Sequence, residues 1–392
     1  MQNEQSLTEL SGLVYLEKTY IEPNHLFEKL TNFFQRFIYF EDTDLYTLSV
    51  IYVLLTHLYN IFDEIPYIQV SGLKASGKTR LGDVFEGLCF NPFNSSEMSE
   101  ASLYREINQE SGGVTMIIDE ADDLSGSTRR DVLLRVLRSG YRWNGNVTRC
   151  GPKGKVEQFL TFCPKIIINE KGIGDPALES RTLPILMIKT RNHIEKFRFS
   201  KAENEFKEIK DLIISFSEEY RGIISDRYAS FQGVDGLTDR DEELWTPILI
   251  IAEVLDTAFP RPFIKEKMLA LAKRIIDQRK RTQLIGNRDA QIIESTQAYI
   301  EQTSPLKIKG LCFYVGENLC DSIKDRWGIP NLEPGTVSRV LNRFNLIREV
   351  RRPRLKENIK GFETEVQRTC YLLDEERLSK LTQEYFEGRE CS

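Results

Sequence analysis

The chain has 392 residues and a formal net charge of −6, with 41% apolar and 29% charged residues. Such a composition argues against wholesale disorder, suggests two or three domains, and confines any contact with nucleic acid to local basic patches. Seven cysteines without a C-x-x-C pair and only three histidines argue against a disulfide scaffold, a zinc ribbon or a His-based metal site.

In chain order, the N-terminus MQNEQSLTEL has neither a basic nor an apolar signal region, so a cytoplasmic protein is expected. Residues 1–65 read as a helical segment, with Leu26, Leu30, Phe33 and Phe34 at helical spacing. Residues 45–62 carry no formal charge. Their Thr47, Ser49, Thr56, His57 and Asn60 favour a buried helix over a membrane span.

At residue 66 the pattern becomes α/β. PYIQVSG is a short strand, followed by a helix over KTRLGDVFEGLCF. Further apolar β runs lie at 114–118, 165–168 and 183–188, with a helical pattern at 129–139 between them. Alternating strands and helices predict a mostly parallel sheet over 66–190. Residues 191–300 read as helices, notably 201–219 and 240–256. Residues 301–392 are mixed: a helix over about 309–327, a second in PGTVSRVLNRFN, then β runs at 346–351 and 367–373 around a polar turn.

Between the first strand and its helix stands SGLKASGKT, which fits G-x-x-x-x-G-K-[ST] at every fixed position. Gly72 and Gly77 let the backbone of Leu73, Lys74, Ala75 and Ser76 wrap closely, so that successive N–H groups meet a phosphate. The helix opening at Gly77, with Lys78, Thr79 and Arg80 in its first turn, brings its positive end to the anion. Lys78 reaches the β- and γ-phosphates, and Thr79 offers its hydroxyl to Mg²⁺. ATP and Mg²⁺ are the expected ligands.

The apolar run MIIDE ends in two carboxylates. Asp119 is placed to hold Mg²⁺ and Glu120 to polarise the attacking water as general base. Asn169, at the tip of KIIIN, could orient that water or meet the γ-phosphate. Arg181, before the 183–188 strand, could reach a phosphate on a neighbouring subunit. Arg240, at the start of a later helix, could contact the γ-phosphate within its own subunit. Residues 147–160 form a hairpin by turn chemistry, and its Lys153 and Lys155 could touch DNA phosphates at a pore.

The order of Gly72–Thr79, Asp119-Glu120, Asn169, Arg181 and Arg240 resembles that of AAA+ ATPases with a C-terminal helical lid. The hairpin before Asn169 is similar to that of the branch holding minichromosome-maintenance and superfamily 3 helicases. The stretches LLTHLYNIFDEIPYIQVSGLKASGKTRL, TMIIDEAD, LRSGYRWNGNVTRC, FLTFCPKIIIN and LTDRDEELWTPILIIAE resemble an uncharacterised ATPase family of phages, plasmids and integrative elements. The resemblance spans roughly residues 35–275. It implies ATP, Mg²⁺, a homo-oligomeric ring such as a hexamer, and work on DNA.

Between residues 339 and 360, eight basic residues face two acidic ones. Arg339 and Arg343 fall on a helix behind another helix, and Arg351, Arg352 and Arg354 on a β-hairpin, which is winged-helix architecture suited to duplex DNA. The expected fold class is therefore α/β: a P-loop NTPase (AAA+) core over 66–190, a helical N-terminal segment over 1–65, a helical lid over 191–300 and a winged-helix domain over 301–392. The leading function is a helicase-like, ATP-hydrolysing DNA motor for replication of a mobile element or phage, with single-stranded DNA in a pore and no membrane. Two alternatives stand beside it: an ATP-dependent initiator or switch, and a protein-remodelling ATPase in phage defence.

Overall fold

The computed structural model describes residues 21–94, 107, 113–119, 128–150, 156–170, 175–190, 194–237, 239–286, 288–359 and 362–385. Glu120, Lys153 and Lys155 lie outside the described residues. The chain divides into two compact units, Met1–Lys273 and Arg274–Ser392.

In the first unit, helix α1 (Pro23–Phe37) starts with proline in its first turn and buries Leu26, Phe27, Leu30, Phe33, Phe34 and Phe37 along one stripe. Helix α2 (Asp44–Leu58) is buried nearly all round. This explains the uncharged stretch. Its polar groups are satisfied internally: Ser49 Oγ donates to the Leu45 carbonyl at 2.7 Å and Thr56 Oγ1 to the Val53 carbonyl at 2.7 Å. Among the described residues no helix is long and apolar enough to cross a membrane.

Five parallel strands form the central sheet: β1 (Tyr67–Ser71), β2 (Pro92–Asn94), β3 (Thr115–Ile118), β6 (Lys165–Ile168) and β7 (Thr182–Leu186), in the order β2-β3-β6-β1-β7. The inner strands β1, β3 and β6 are buried on both faces, as suits their mostly apolar runs, and Gln69, Thr115 and Lys165 are buried with them. The edge strand β2 has no counterpart in the sequence reading. It is short and pairs Phe93 with Met116, so Phe93 packs on the core and is not at a loop tip. Helix α3 (Lys78–Leu88) follows β1, and helix α4 (Thr128–Ser139) leads to an antiparallel hairpin, β4 (Asn146–Cys150) with β5 (Val156–Leu160). Helices α5 (Phe199–Ala229) and α6 (Asp239–Asp256) pack with α1 and α2 in the same unit. Helix α7 (Ile264–Gly286) contains the division between the units.

The second unit holds helices α8 (Arg288–Gln302), α9 (Gly316–Trp327), α10 (Pro334–Arg343) and α11 (Glu375–Tyr385). A four-stranded antiparallel sheet runs β10-β13-β9-β8, built from β8 (Leu306–Ile308), β9 (Leu311–Val315), β10 (Ile347–Arg351) and β13 (Cys370–Leu373). The helix expected from about 309 begins only at Gly316. Lys309 and Gly310 both take positive φ (49° and 81°), the requirement of a two-residue hairpin turn, and they pair LCFYV with β8 instead. Between β10 and β13, where a turn was expected, a second hairpin stands: β11 (Arg354–Ile359) with β12 (Phe362–Gln367).

Candidate functional site

The phosphate loop leaves β1 at Ser71 and enters α3 at Lys78. Gly72 has φ 148°, and a Cβ there would strike the Met187 carbonyl oxygen, which the Met187 N–H to Ser71 carbonyl bond of 2.7 Å holds in place. Gly77 caps α3 in the left-handed region at φ 97°. Both glycines are thus demanded by the backbone. Lys78 Nζ donates to the carbonyls of Gly72 at 2.5 Å and Leu73 at 3.1 Å, folding its ammonium over the loop. Ser76 Oγ is buried without a hydrogen-bond partner, and Thr79 is exposed. A cradle too close for a Cβ, an orphaned hydroxyl and a lysine at its mouth fit a bound phosphate.

Asp119 follows β3 directly, and Asn169 follows β6. Asn169 is buried, and its N–H donates to the Val70 carbonyl at 3.0 Å, so it lies beside the last turn of β1 before the loop. The parallel registers Ile118↔Ile167 and Val70↔Ile168 bring the loop, Asp119 and Asn169 to one edge of the sheet. No group of three or more His, Cys, Asp or Glu side chains suited to a metal exists among the described residues. Thr79 and Asp119, with phosphate oxygens, form the type of sparse donor set that suits Mg²⁺.

Asp83 was not singled out by the motif. It stands one helical turn after Thr79 on α3. Burial first, and the Asp119 carboxylate second, push its carboxyl above the usual range, while Arg80 opposes them. The spacing of four residues from Thr79 was the available signal.

Arg181 and Arg240 lie elsewhere. Arg181 precedes Thr182, which pairs with Tyr67 at the start of β1, and the Arg181 carbonyl accepts from the Tyr67 N–H at 3.0 Å. At about 3.3 Å per residue this is roughly 16 Å along the strands from the loop edge. The Arg181 guanidinium sits 4.7 Å from the centre of the Tyr141 ring, and its Nη1 donates to the Ala177 carbonyl. Arg240 Nη1 donates to Ser180 Oγ at 2.8 Å, and its guanidinium is 5.9 Å from the same ring. The Nε atoms of both arginines are buried without a hydrogen-bond partner. A third guanidinium, Arg142, lies 5.1 Å from Tyr141 and pairs with Glu64 and Glu243. The bond to Ser180 sets Arg240 beside Arg181, at the end of the strands away from the loop of its own subunit. Tyr141, the shared platform, carries no motif signal.

In the second unit the basic stretch is less free than its formal charge implies. Arg343 pairs with Asp289, Arg348 with Asp374 at 2.8 Å and Arg351 with Glu349 at 2.6 Å. Arg351 is half-buried with its guanidinium 5.0 Å from the Phe313 ring, which makes it part of the packing. On the outer hairpin, β12 sets Glu365 and Glu363 opposite Lys356 and Asn358. Arg339, Arg352 and Arg354 are exposed.

A parallel sheet with a glycine-rich loop at the carboxyl end of an inner strand defines a mixed α/β protein, consistent with a P-loop fold. Among solved structures, the chain is similar to SCCmec type IV Cch, an active helicase, with 13% identity over 91% of this chain and 69% of that chain and a TM-score of 0.39. It is similar to the NrS-1 C-terminal region (12%, 89% and 74%, TM-score 0.38) and to an inhibitor-bound JCV helicase (16%, 71% and 65%, TM-score 0.29). No protein-family model matches the sequence. No curated protein matches it.

Proposed function

We propose that this chain is an AAA+ ATPase that works as a helicase-like DNA motor, in a homo-oligomeric ring such as a hexamer, in replication of a mobile element or phage. The observation that carries the reading is the separation of two half-sites on one sheet. The loop, Asp119 and Asn169 stand at the carboxyl edge, and the Arg181–Arg240 pair, with both Nε atoms buried and unpartnered, at the amino edge. An active site cut in two this way is completed by a second copy, whose arginines meet the γ-phosphate.

In this reading the loop amides and Lys78 bind ATP and orient its β- and γ-phosphates. Thr79 and Asp119 hold Mg²⁺, which offsets charge on the phosphates when bound. Glu120 takes the proton of the attacking water, and Asn169 orients that water. Arg181 and Arg240 of the neighbouring copy stabilise the charge that grows on the phosphoryl oxygens. Residues 191–300 act as the helical lid. The β4–β5 hairpin, through Lys153 and Lys155, pulls on single-stranded DNA by its phosphates. The second unit is a winged helix. Its helices α9 and α10 follow the hairpin β8–β9, its strands β10 and β13 pair, and β11–β12 extends as the wing. Arg339 on α10, Arg352 just before the wing and Arg354 on it meet duplex phosphates.

The test is the ATPase rate with and without single- and double-stranded DNA, together with strand displacement on a forked duplex. Stimulation and displacement, both lost in Lys78→Ala and Glu120→Gln, are the expected result. Stimulation without displacement would favour an initiator or switch. Turnover indifferent to DNA at low salt would leave the protein-remodelling reading.

A further inference from the structure

Lys165 opens strand β6 and is fully buried. Its ammonium has three donors, and all three are used on carbonyls: Thr161 at 2.7 Å, Cys163 at 3.0 Å and Gly140 at 3.1 Å. The face of the Tyr67 ring lies 4.9 Å away. Burial lowers its pKa, and the Cys163 contacts oppose the shift. A methionine would fill the same space without the cost of desolvating a charge, so the ammonium's presence calls for a role.

Its three acceptors come from distinct places. Gly140 ends helix α4, with its N–H donating to the Val136 carbonyl at 2.9 Å. A Cβ on Gly140 would meet both the Thr161 carbonyl and Lys165 Nζ. Thr161 closes the base of the β4–β5 hairpin: its N–H donates to the Gly145 carbonyl at 2.9 Å, beside the first pair, Asn146↔Leu160. Cys163 lies between that base and β6. The main chain of Lys165 is fixed too, since its N–H donates to Tyr52 Oη at 3.1 Å and its carbonyl accepts from that hydroxyl at 2.9 Å. The other end of this four-residue strand is Ile168, and Asn169 follows it directly. One short strand, clamped between β3 and β1, thus has the phosphate edge at one tip and the hairpin base at the other.

We propose that Lys165 is a positioning residue that couples β6 to the hairpin, so that a shift at Asn169 on nucleotide binding or hydrolysis moves the hairpin base as one body. The coupling rests on the reading of the chain as a nucleotide-driven DNA motor. Carbonyl oxygens from a helix end and a hairpin base have no ladder between them; beside the hydroxyl contact of Ser139 with Thr161 at 2.9 Å, the ammonium links them and ties both to β6. Interiors packed at crystal density pass such displacements on with little loss.

The test compares amide hydrogen exchange over residues 140–163 in the full chain, with and without a non-hydrolysable ATP analogue and Mg²⁺, in wild type and Lys165→Met. Wild type should show nucleotide-dependent protection at the hairpin base, and Lys165→Met should lose it. Hydrolysis without DNA should stay within about twofold of wild type in that variant, while any stimulation by single-stranded DNA falls to the basal rate. A nucleotide-independent hairpin in the wild type would overturn the coupling without any variant being made. An unchanged response in Lys165→Met would overturn it as well. Should Lys165→Met fail to fold, Asn169→Ala serves from the other tip: the Lys165 contacts are intact, and the nucleotide response of 140–163 should vanish. The exchange readout needs nucleotide only. DNA-independent turnover in wild type would therefore sink the motor reading, while exchange still decides the coupling.

Discussion

Arg240 is tied to Ser180 by a 2.8 Å hydrogen bond, which anchors it to the residue just before Arg181. That bond seats Arg240 beside Arg181 on the Tyr141 ring, at the edge of the sheet away from the phosphate loop. Mixing single variants tests this. Each of Arg181→Ala and Arg240→Ala should cut turnover by about 10³. If both arginines serve the neighbouring copy, equal mixtures of the two variants stay inactive, because every interface lacks one guanidinium. Recovery of activity in the mixture would place Arg240 in the same subunit as the ATP it touches.

The two loop glycines should fail differently. A Cβ in Gly77→Ala meets only an ordinary contact with Met187 Cε at 3.5 Å, so the cost is that of the left-handed φ, about 1–2 kcal/mol. Gly72→Ala must also push back the Met187 backbone carbonyl, so it should cost about 2–4 kcal/mol. Denaturant midpoints measure the difference, and nucleotide binding should fall further in Gly72→Ala.

Asp119→Asn should leave ATP binding in place while raising the Mg²⁺ concentration needed for half-maximal turnover at least about tenfold. Asp83→Asn, one step removed, should shift that midpoint by less, because Asp83 acts through Asp119. Equal shifts in a Mg²⁺ titration would make Asp83 a direct ligand.

His57 gives the first unit a defined acid sensitivity. Burial pushes its imidazole down to about 4, although its Nε2–H donates to the Leu88 carbonyl at 3.0 Å. The unfolded chain therefore binds a proton near pH 6.5 that the folded chain refuses until about pH 4. Stability from this group is complete above pH 6.5 and is lost as pH falls toward 4, by up to about 3 kcal/mol. His57→Gln should flatten the unfolding free energy across that window. An unchanged slope would show that the imidazole is protonated in the fold.

On the second unit, exposed and packed arginines should separate by salt dependence. Arg339→Ala, Arg352→Ala and Arg354→Ala should each weaken duplex binding and lower the salt slope by about 1. Arg351→Ala should leave the slope unchanged and lower thermal stability, since its guanidinium covers Phe313. A changed slope in Arg351→Ala would return it to the DNA contacts.

The local parts of this protein were legible in the sequence. Gly72, Gly77 and Lys78 declare their loop because strain and close approach are properties of a few adjacent residues. The runs at 66–71, 114–118 and 165–168 became inner strands because short, mostly apolar stretches rich in Ile and Val are best buried on both faces. The neutral stretch 45–62 contains a buried helix for the same reason. What the sequence could not declare were meetings between distant segments. The gathering of Arg181 and Arg240 on Tyr141, of three carbonyls on Lys165, and of Asp83 with Asp119 follows from strand order and register. So does the pairing of a formally basic stretch with Asp289 and Asp374. Motifs are written in neighbouring residues, whereas the partner of a charge is set by which elements the hydrophobic core packs together. The sequence by itself determined the loop and the class of sheet it serves, and only the tertiary structure decided which edge of that sheet each arginine occupies.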